Sequence, residues 1–293
     1  LNSDPLSTRP MTDTIKTFGE AAEWTYQKHW KRQRSVRTVV PRLEKVKHHI
    51  GHSFPLGKLG KLSKWLDLQA DLQEEDQCSN ATVNRAISVA TTAIKKTFEA
   101  QLHSVKCPSV PRLEETKCRF VYFTKDQVKK LAHYAEDIYD RQDLSDAIIF
   151  SAYTGVRQGE LLKLRPDDID FNLNVIWIGG KPKQVTKSNN VRTIQIHPII
   201  EPILKRRLDN RRLFGDDWTN KDQLYNAFKK VRKYAGISDE YVWHCLRHSF
   251  ATYLAEVTHP RQVMELLGHA NIETTLRYCK PTQEACNKAV LSI

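Results

Sequence analysis

WHCLRHSFATYLAEVTHPRQVMELLGHANIETTLRYC, residues 243–279, is the stretch whose periodicity decides the fold of the C-terminal half. Leu246, Phe250 and Leu254 recur at helical spacing, and Val263, Leu266 and Leu267 form a second apolar stripe opened by Pro260 and closed by Gly268. His244 and Arg247 stand at i and i+3, so one helical face carries both. A glycine in the left-handed conformation at 268 ends the second helix and leaves His269 at an irregular corner, where a functional side chain can sit on rigid supports. Tyr278 follows ten residues after the glycine.

Upstream, TGVRQGELLKLRPDDIDF at 154–171 places Arg157, Glu160, Leu161 and Leu164 on one predicted helical face just after Gly155. A cation near a helix N-terminus suits a phosphate, whereas an isolated Arg157–Glu160 pair on a surface would be worth little. Residues 174–197 alternate: Val175 to Ile178, a Gly179-Gly180 break, a lysine-rich connection, and then Val191 to Ile196. That pattern predicts two antiparallel strands joined by a loop. Helices are further expected over 144–152, 199–213 and 220–235, with Thr124-x-x-Gln127 capping another.

The ordered set, Arg157 in its Gly-x-Arg segment, His244-x-x-Arg247, the Leu-Leu-Gly-His269 corner and Tyr278, resembles the C-terminal motifs of the tyrosine recombinase (phage integrase) family. A single His-x-x-Lys/Arg pair would mean little, since 11 His and 46 Lys or Arg in 293 residues give about two such matches by chance. The resemblance implies a mostly α catalytic domain with a small antiparallel β-sheet, preceded by a helical core-binding domain. It implies DNA cleavage by Tyr278 through a covalent 3′-phosphotyrosine, with Arg157 and Arg247 on the phosphate oxygens and His244 accepting the phenolic proton. His269 would bond a phosphate oxygen, Glu160 would support Arg157, and Lys187 on the hairpin connection would protonate the leaving 5′ oxygen. Lys181 and Lys183, beside Pro182, would hold the DNA backbone by charge. Tyr253, inside the first helix, is the competing tyrosine, read as packing because the nucleophile of the family follows the Gly-His corner.

The residue types suit that chemistry. A phenol of pKa near 10 is only about a thousandth ionised at neutral pH, so neighbouring cations and a base must activate it. Arginine stays charged and donates in pairs to phosphate oxygens. With arginines neutralising the phosphate no metal or other cofactor is expected, and no His/Asp/Glu cluster has the spacing of a metal site.

The N-terminal part reads as helices throughout. Thr17-x-x-Glu20 is a capping box, Leu62, Trp65, Leu68 and Leu72 share a stripe, and Ser79 or Asn80 can cap a long helix with Val83, Ile87, Ala90 and Ile94 inward. In that helix Arg85 is the residue expected to approach DNA by the same resemblance. Lys28 to Lys47 holds eight cations against Glu44 alone, with Trp24, Trp30, Val39, Leu43 and Val46 interleaved, so one face is basic and the other apolar. The boundaries expected are a flexible segment 1–14, the helical core DNA-binding domain 15–105, a proline-bearing linker 106–119, the catalytic domain 120–280, and a tail 281–293 exchanged between protomers.

A net charge of +12 and a pI near 9.4 fit a polyanionic partner. Residues 1–110 alone carry 17 Lys and Arg against 11 Asp and Glu, so both halves are basic. Six cysteines without C-x-x-C or finger spacing fit reduced thiols of a cytosolic protein. The chain lacks a signal-peptide pattern and an apolar run of bilayer length, which makes it an expected intracellular protein with no membrane partner. It begins at Leu1, consistent with a fragment whose N-terminal piece is missing. The expected partners are double-stranded DNA bearing recombination sites, three further copies in a synaptic homotetramer, and accessory DNA-bending proteins. An integrase of a phage or other mobile element is the first reading. A chromosome-dimer-resolving recombinase, a type IB topoisomerase and a non-catalytic DNA-binding protein are the alternatives.

Overall fold

The computed structural model describes residues 14–33, 35–115, 120–180, 191–218 and 220–279. Lys181, Lys183, Lys187 and the tail 281–293 lie outside the described residues, as does most of the expected flexible segment 1–14. The chain divides into two compact units, Leu1–Cys118 and Arg119–Ile293.

The first unit is helical. Helix α1 (Phe18–Thr25) starts at the Thr17/Glu20 capping box, and a single π-turn (Tyr26–Trp30) continues it. Helices α2 (Val36–Ile50), α3 (Leu62–Glu74) and α4 (Asn80–Glu99) follow, with Ser79 capping the last. The apolar positions read from the sequence go inward: Val46, Trp65, Leu72, Val83, Ala90 and Ile94 are fully buried, and Val39 and Leu43 nearly so. Removing such side chains from water, at roughly 25 cal/mol per Å², is the main drive for the bundle. Arg85 lies exposed on α4, and Lys28, Lys31, Arg32 and Arg37 face solvent. The segment read as a linker has no regular secondary structure in its described part, yet it is strapped to the bundle. Gln69 Nε2 donates to Pro111 O at 2.9 Å, and the Asn84 amide both donates to Leu113 O and accepts from Leu113 N at 2.9 Å. Val110 and Leu113 pack on the same core, so the strap needs no helix of its own.

The second unit starts with an extended stretch to Phe123, then α5 (Lys125–His133), capped by Thr124 and Gln127, and α6 (Gln142–Thr154). Gly155 ends α6 in the left-handed region (φ 60°), and a Cβ there would lie 2.4 Å from the Phe250 ring. One turn of helix, α7 (Gln158–Leu161), leads to β1 (Ile169–Asp170), β2 (Val175–Ile178) and β3 (Arg192–Gln195). The sheet is antiparallel in the order β1-β2-β3, with Ile176 opposite both Ile169 and Ile194, and Ile178 opposite Arg192. Helices α8 (Glu201–Arg206), α9 (Lys221–Tyr234), α10 (His244–Ala255), α11 (Pro260–Leu267) and α12 (Ile272–Leu276) complete it. The fold is therefore mostly α with a small three-stranded antiparallel sheet, as the sequence predicts.

Two local expectations fail. The helix expected over 199–213 shrinks to six residues. Pro202 fixes its first turn, and at its end Arg207 turns inward to bond Asp146 at 2.8 Å, Asp217 at 2.6 Å and Leu213 O at 2.9 Å. That buried network takes the chain out of helical register so that Leu213 and Phe214 can fill the core. Arg157, meanwhile, precedes α7 rather than riding on it: its backbone is extended (φ −71°, ψ 146°) and its N–H donates to Glu160. The pair is a capping arrangement, which frees the Arg157 side chain to leave the helix axis.

Candidate active site

Three arginines converge on one helix end. The last carbonyls of α11 lack intrahelical partners, and each takes a guanidinium. Leu266 O accepts from Arg192 Nε at 2.9 Å, Leu267 O from Arg247 Nη2 at 2.5 Å, and Gly268 O from Arg157 Nη2 at 3.1 Å. The negative end of a helix dipole favours cations at that position. Gly268 makes the approach feasible, since it turns left-handed (φ 63°) and a Cβ on it would press on Arg192 at 3.2 Å.

Glu160 ties two of these arginines together. Its carboxylate accepts from Arg157 Nη1 at 2.9 Å and from Arg192 Nη1 and Nη2 at 3.2 and 2.8 Å. Burial acts to raise its pKa, but the ion pairs with Arg192 and Arg157 and the Arg157 N–H outweigh burial and hold it at about 2. A folded pKa below the ordinary 4.5 stabilises the fold fully above pH 4.5, and the gain disappears as pH falls through about 2. Glu160→Gln is therefore expected to lower stability at pH 7 by on the order of 3 kcal/mol. Chemical denaturation across that pH range checks it: the gap from wild type should close toward pH 2.

Arg247 is 2% exposed, and its other nitrogen donates to Gly155 O at 2.6 Å. Among the described residues no carboxylate bonds to it directly. Burial, then Arg157 and Arg192, pull its pKa down to about 10, which still leaves it charged at neutral pH. A buried cation held only by carbonyls has capacity left for an anion. The side chain of Arg157 is 45% exposed beside it, at the edge of an open groove of about 1050 Å³ whose lining includes Lys163, Arg165, Arg212 and Lys221.

Tyr278 stands two residues past α12, 7% exposed, against Ala251, Val263 and Leu267. Burial raises its pKa, with Arg247 and Arg277 opposing. Its ring stacks on His269 at 6.2 Å, and His269 is turned by Thr275, whose Oγ1 lies 2.8 Å from Nδ1. The expected pairing of His244 with the phenol gives way to another: His248 Nδ1 lies 2.7 Å from the Tyr278 hydroxyl, while His244 packs edge-on against His248 at 4.8 Å and reaches solvent. The reason is helical geometry. His244 opens α10, whereas His248 lies one turn further along, where the helix meets Tyr278. Burial first, then surrounding cations, depress all three histidines, His248 and His269 to about 4. Tyr253 is tied elsewhere, its hydroxyl donating to Phe123 O at 2.6 Å.

His248 and the bridging role of Arg192 lie outside the motifs that carry the family resemblance. Both had signals. His248 is at i+4 from His244, and Arg192 occupies the inward phase of the strand Arg192, Ile194, Ile196, where a charge must find a partner.

Residues 121–285 match the model of the phage integrase family. The chain is 30% identical over 227 residues to the tyrosine recombinase XerA of Thermococcus kodakarensis, covering 72% of this chain and 76% of that protein. It is 28% identical over 230 residues to the tyrosine recombinase XerC of Staphylococcus epidermidis, covering 74% and 76%. Among solved structures, the Tn1549 transposon integrase in complex with transposon right end DNA shares the fold with a TM-score of 0.78 at 19% identity, over 94% of this chain and 99% of that one. A lambda integrase dimer bound to a core site gives 0.72 at 16% identity, over 95% and 81%. The chain accordingly belongs to the phage integrase family and is a tyrosine-type site-specific DNA recombinase.

Proposed function

We propose that this recombinase cuts and rejoins DNA through a 3′-phosphotyrosine on Tyr278 and serves as the integrase of a phage or other mobile element. The observation that carries the reading is the convergence of Tyr278 with Arg247, Arg157 and a histidine cluster on one helix end. A phosphodiester entering there meets the spare donors of Arg157 and the uncompensated charge of Arg247. Donors fixed in advance stabilise the charge that grows on the non-bridging oxygens, typically by a few kcal/mol each. His269 can donate from Nε2 to the same phosphate while Thr275 holds Nδ1. The exposed cations of the first unit, Arg85 among them, supply backbone contacts to the duplex.

Recombination of two duplexes requires four active sites, so a homotetramer on synapsed DNA is the working assembly, as in the lambda integrase tetramer bound to a Holliday junction. In this reading the tail 281–293 passes between protomers, and accessory DNA-bending proteins assist. Sequencing the junctions made between candidate attachment sites tests the biological role. Junctions joining element ends to a target support it. Junctions that only resolve duplicated chromosomal sites would remove the mobile-element part and leave the chemistry intact.

Lys187 is proposed as the acid for the departing 5′ oxygen, with Lys181 and Lys183 as backbone contacts. Lys187→Ala is expected to slow cleavage roughly a hundredfold or more, the range of general-acid catalysis. A substrate with sulfur at the 5′ bridging position, whose leaving group needs no proton, restores the rate. Rescue of Lys181→Ala or Lys183→Ala by sulfur, with Lys187→Ala left slow, would move the acid along the loop.

A further inference from the structure

We propose that His248, rather than His244, is the base that takes the proton of Tyr278. The inference rests on the reading of Tyr278 as nucleophile and extends it to the atom that receives the proton. His248 Nδ1 is 2.7 Å from the phenolic oxygen, the only side-chain hydrogen bond Tyr278 makes among the described residues. The other imidazoles are placed for other tasks. His269 faces the Tyr278 ring in a stacked geometry with Nδ1 on Thr275, and it makes no hydrogen bond to the hydroxyl. His244 meets His248 ring edge to ring face and has no hydrogen bond to the phenol.

The imidazole is fixed as well as near. It packs between Phe120 at 5.2 Å and His244, and Phe120 also meets the Tyr278 ring edge-on at 5.1 Å. One aromatic side chain thus sets both partners of the hydrogen bond. A base must arrive without a proton, because an imidazolium donates from both nitrogens and has nowhere to receive one. The charged and titratable groups around His248 are His244 and Arg247 on its own helix, Arg277 and Tyr278 beyond α12, and His269 at the corner. Together with burial they keep the ring neutral before DNA arrives. A scissile phosphate on Arg247 brings negative charge against those same cations, so the basicity of His248 rises when the substrate is in place.

In cleavage the bond from Tyr278 Oη to phosphorus forms and the bond from phosphorus to the 5′ oxygen breaks. The phenolic proton passes to His248 Nδ1, and the 5′ oxygen leaves as a hydroxyl with a proton from the acid, assigned above to Lys187. Rejoining runs the same transfers backwards, so His248 returns its proton to Tyr278.

His248→Asn separates positioning from proton transfer, since the amide oxygen can accept the same hydrogen bond but cannot hold the proton. On a nicked substrate that traps the adduct, this variant is expected to bind DNA as wild type does and to cleave about a hundredfold slower or worse. Its rate climbs with pH toward the range of the phenol, and sulfur at the 5′ bridging position does not restore it. Cleavage within threefold of wild type, or rescue by sulfur, overturns the proposal. Tyr278→Phe run alongside distinguishes the two levels: an adduct from that protein refutes the nucleophile, whereas a dead Tyr278→Phe with an active His248→Asn refutes only the base. Nitrogen-15 NMR of the wild-type histidines provides a test that needs no variant, and a protonated Nδ1 on neutral His248 would also overturn the proposal.

Discussion

Tyr278→Phe is expected to bind DNA with unchanged affinity and to form no covalent protein–DNA adduct. The substitution removes one oxygen from a ring that otherwise keeps its packing against Ala251, Val263 and Leu267 and its contacts with His269 and Phe120. The lost hydroxyl is the attacking atom, so the effect on cleavage is total within detection, while the cations that bind the backbone are untouched. A trapping gel with a nicked substrate reads both quantities. The His248 ring loses its hydrogen-bond partner in this variant but keeps its packing against Phe120 and His244.

Arg247→Gln is expected to bring the second largest loss, with cleavage falling on the order of 10²–10³-fold, the usual effect of deleting one prearranged donor to a developing oxyanion. The guanidinium does two things at once: it bridges Gly155 O and Leu267 O, tying the end of α6 to the end of α11, and it leaves a positive charge without a direct carboxylate partner among the described residues. Glutamine can reach one carbonyl but brings no charge. Arg247→Lys keeps the charge but cannot span both carbonyls, and each buried acceptor left unpaired costs about 1–3 kcal/mol. The glutamine variant is thus expected to lose more in saturated cleavage rate, and the lysine variant more in thermal stability relative to its catalytic loss. Single-turnover cleavage at saturating DNA and a melting curve for each variant separate these. A glutamine protein that cleaves at the wild-type rate would mean the buried charge does not face the phosphate.

What could be read from the sequence was what depends on neighbours along the chain. Capping at Thr17, Ser79 and Thr124, the stop at Gly268, and the inward stripes of α4 and α10 all rest on local spacing, and the described helices follow them. The contacts that build the site are long range. Arg192 and Glu160 are 32 residues apart, and Arg247 is 92 residues from Gly155. Only the resemblance to a known family joined such segments before the structure did. Where resemblance and local geometry spoke to the same residue, geometry refined the answer: His244 and His248 share a helical face, but the position of α12 decides which of them meets the phenol. The shortened α8 has the same origin, because nothing near Arg207 in sequence announces that Asp146 and Asp217 will draw it inward.

In the proposed reaction the covalent bond forms on Tyr278, in the arginine and histidine cluster at the end of α11. Peptide mapping by mass spectrometry of the wild-type protein trapped on a nicked substrate measures this directly. The expected product is a nucleotide joined through its 3′-phosphate to the peptide containing Tyr278. The same mass on the peptide containing Tyr253, whose hydroxyl is bound to Phe123 O, would contradict it.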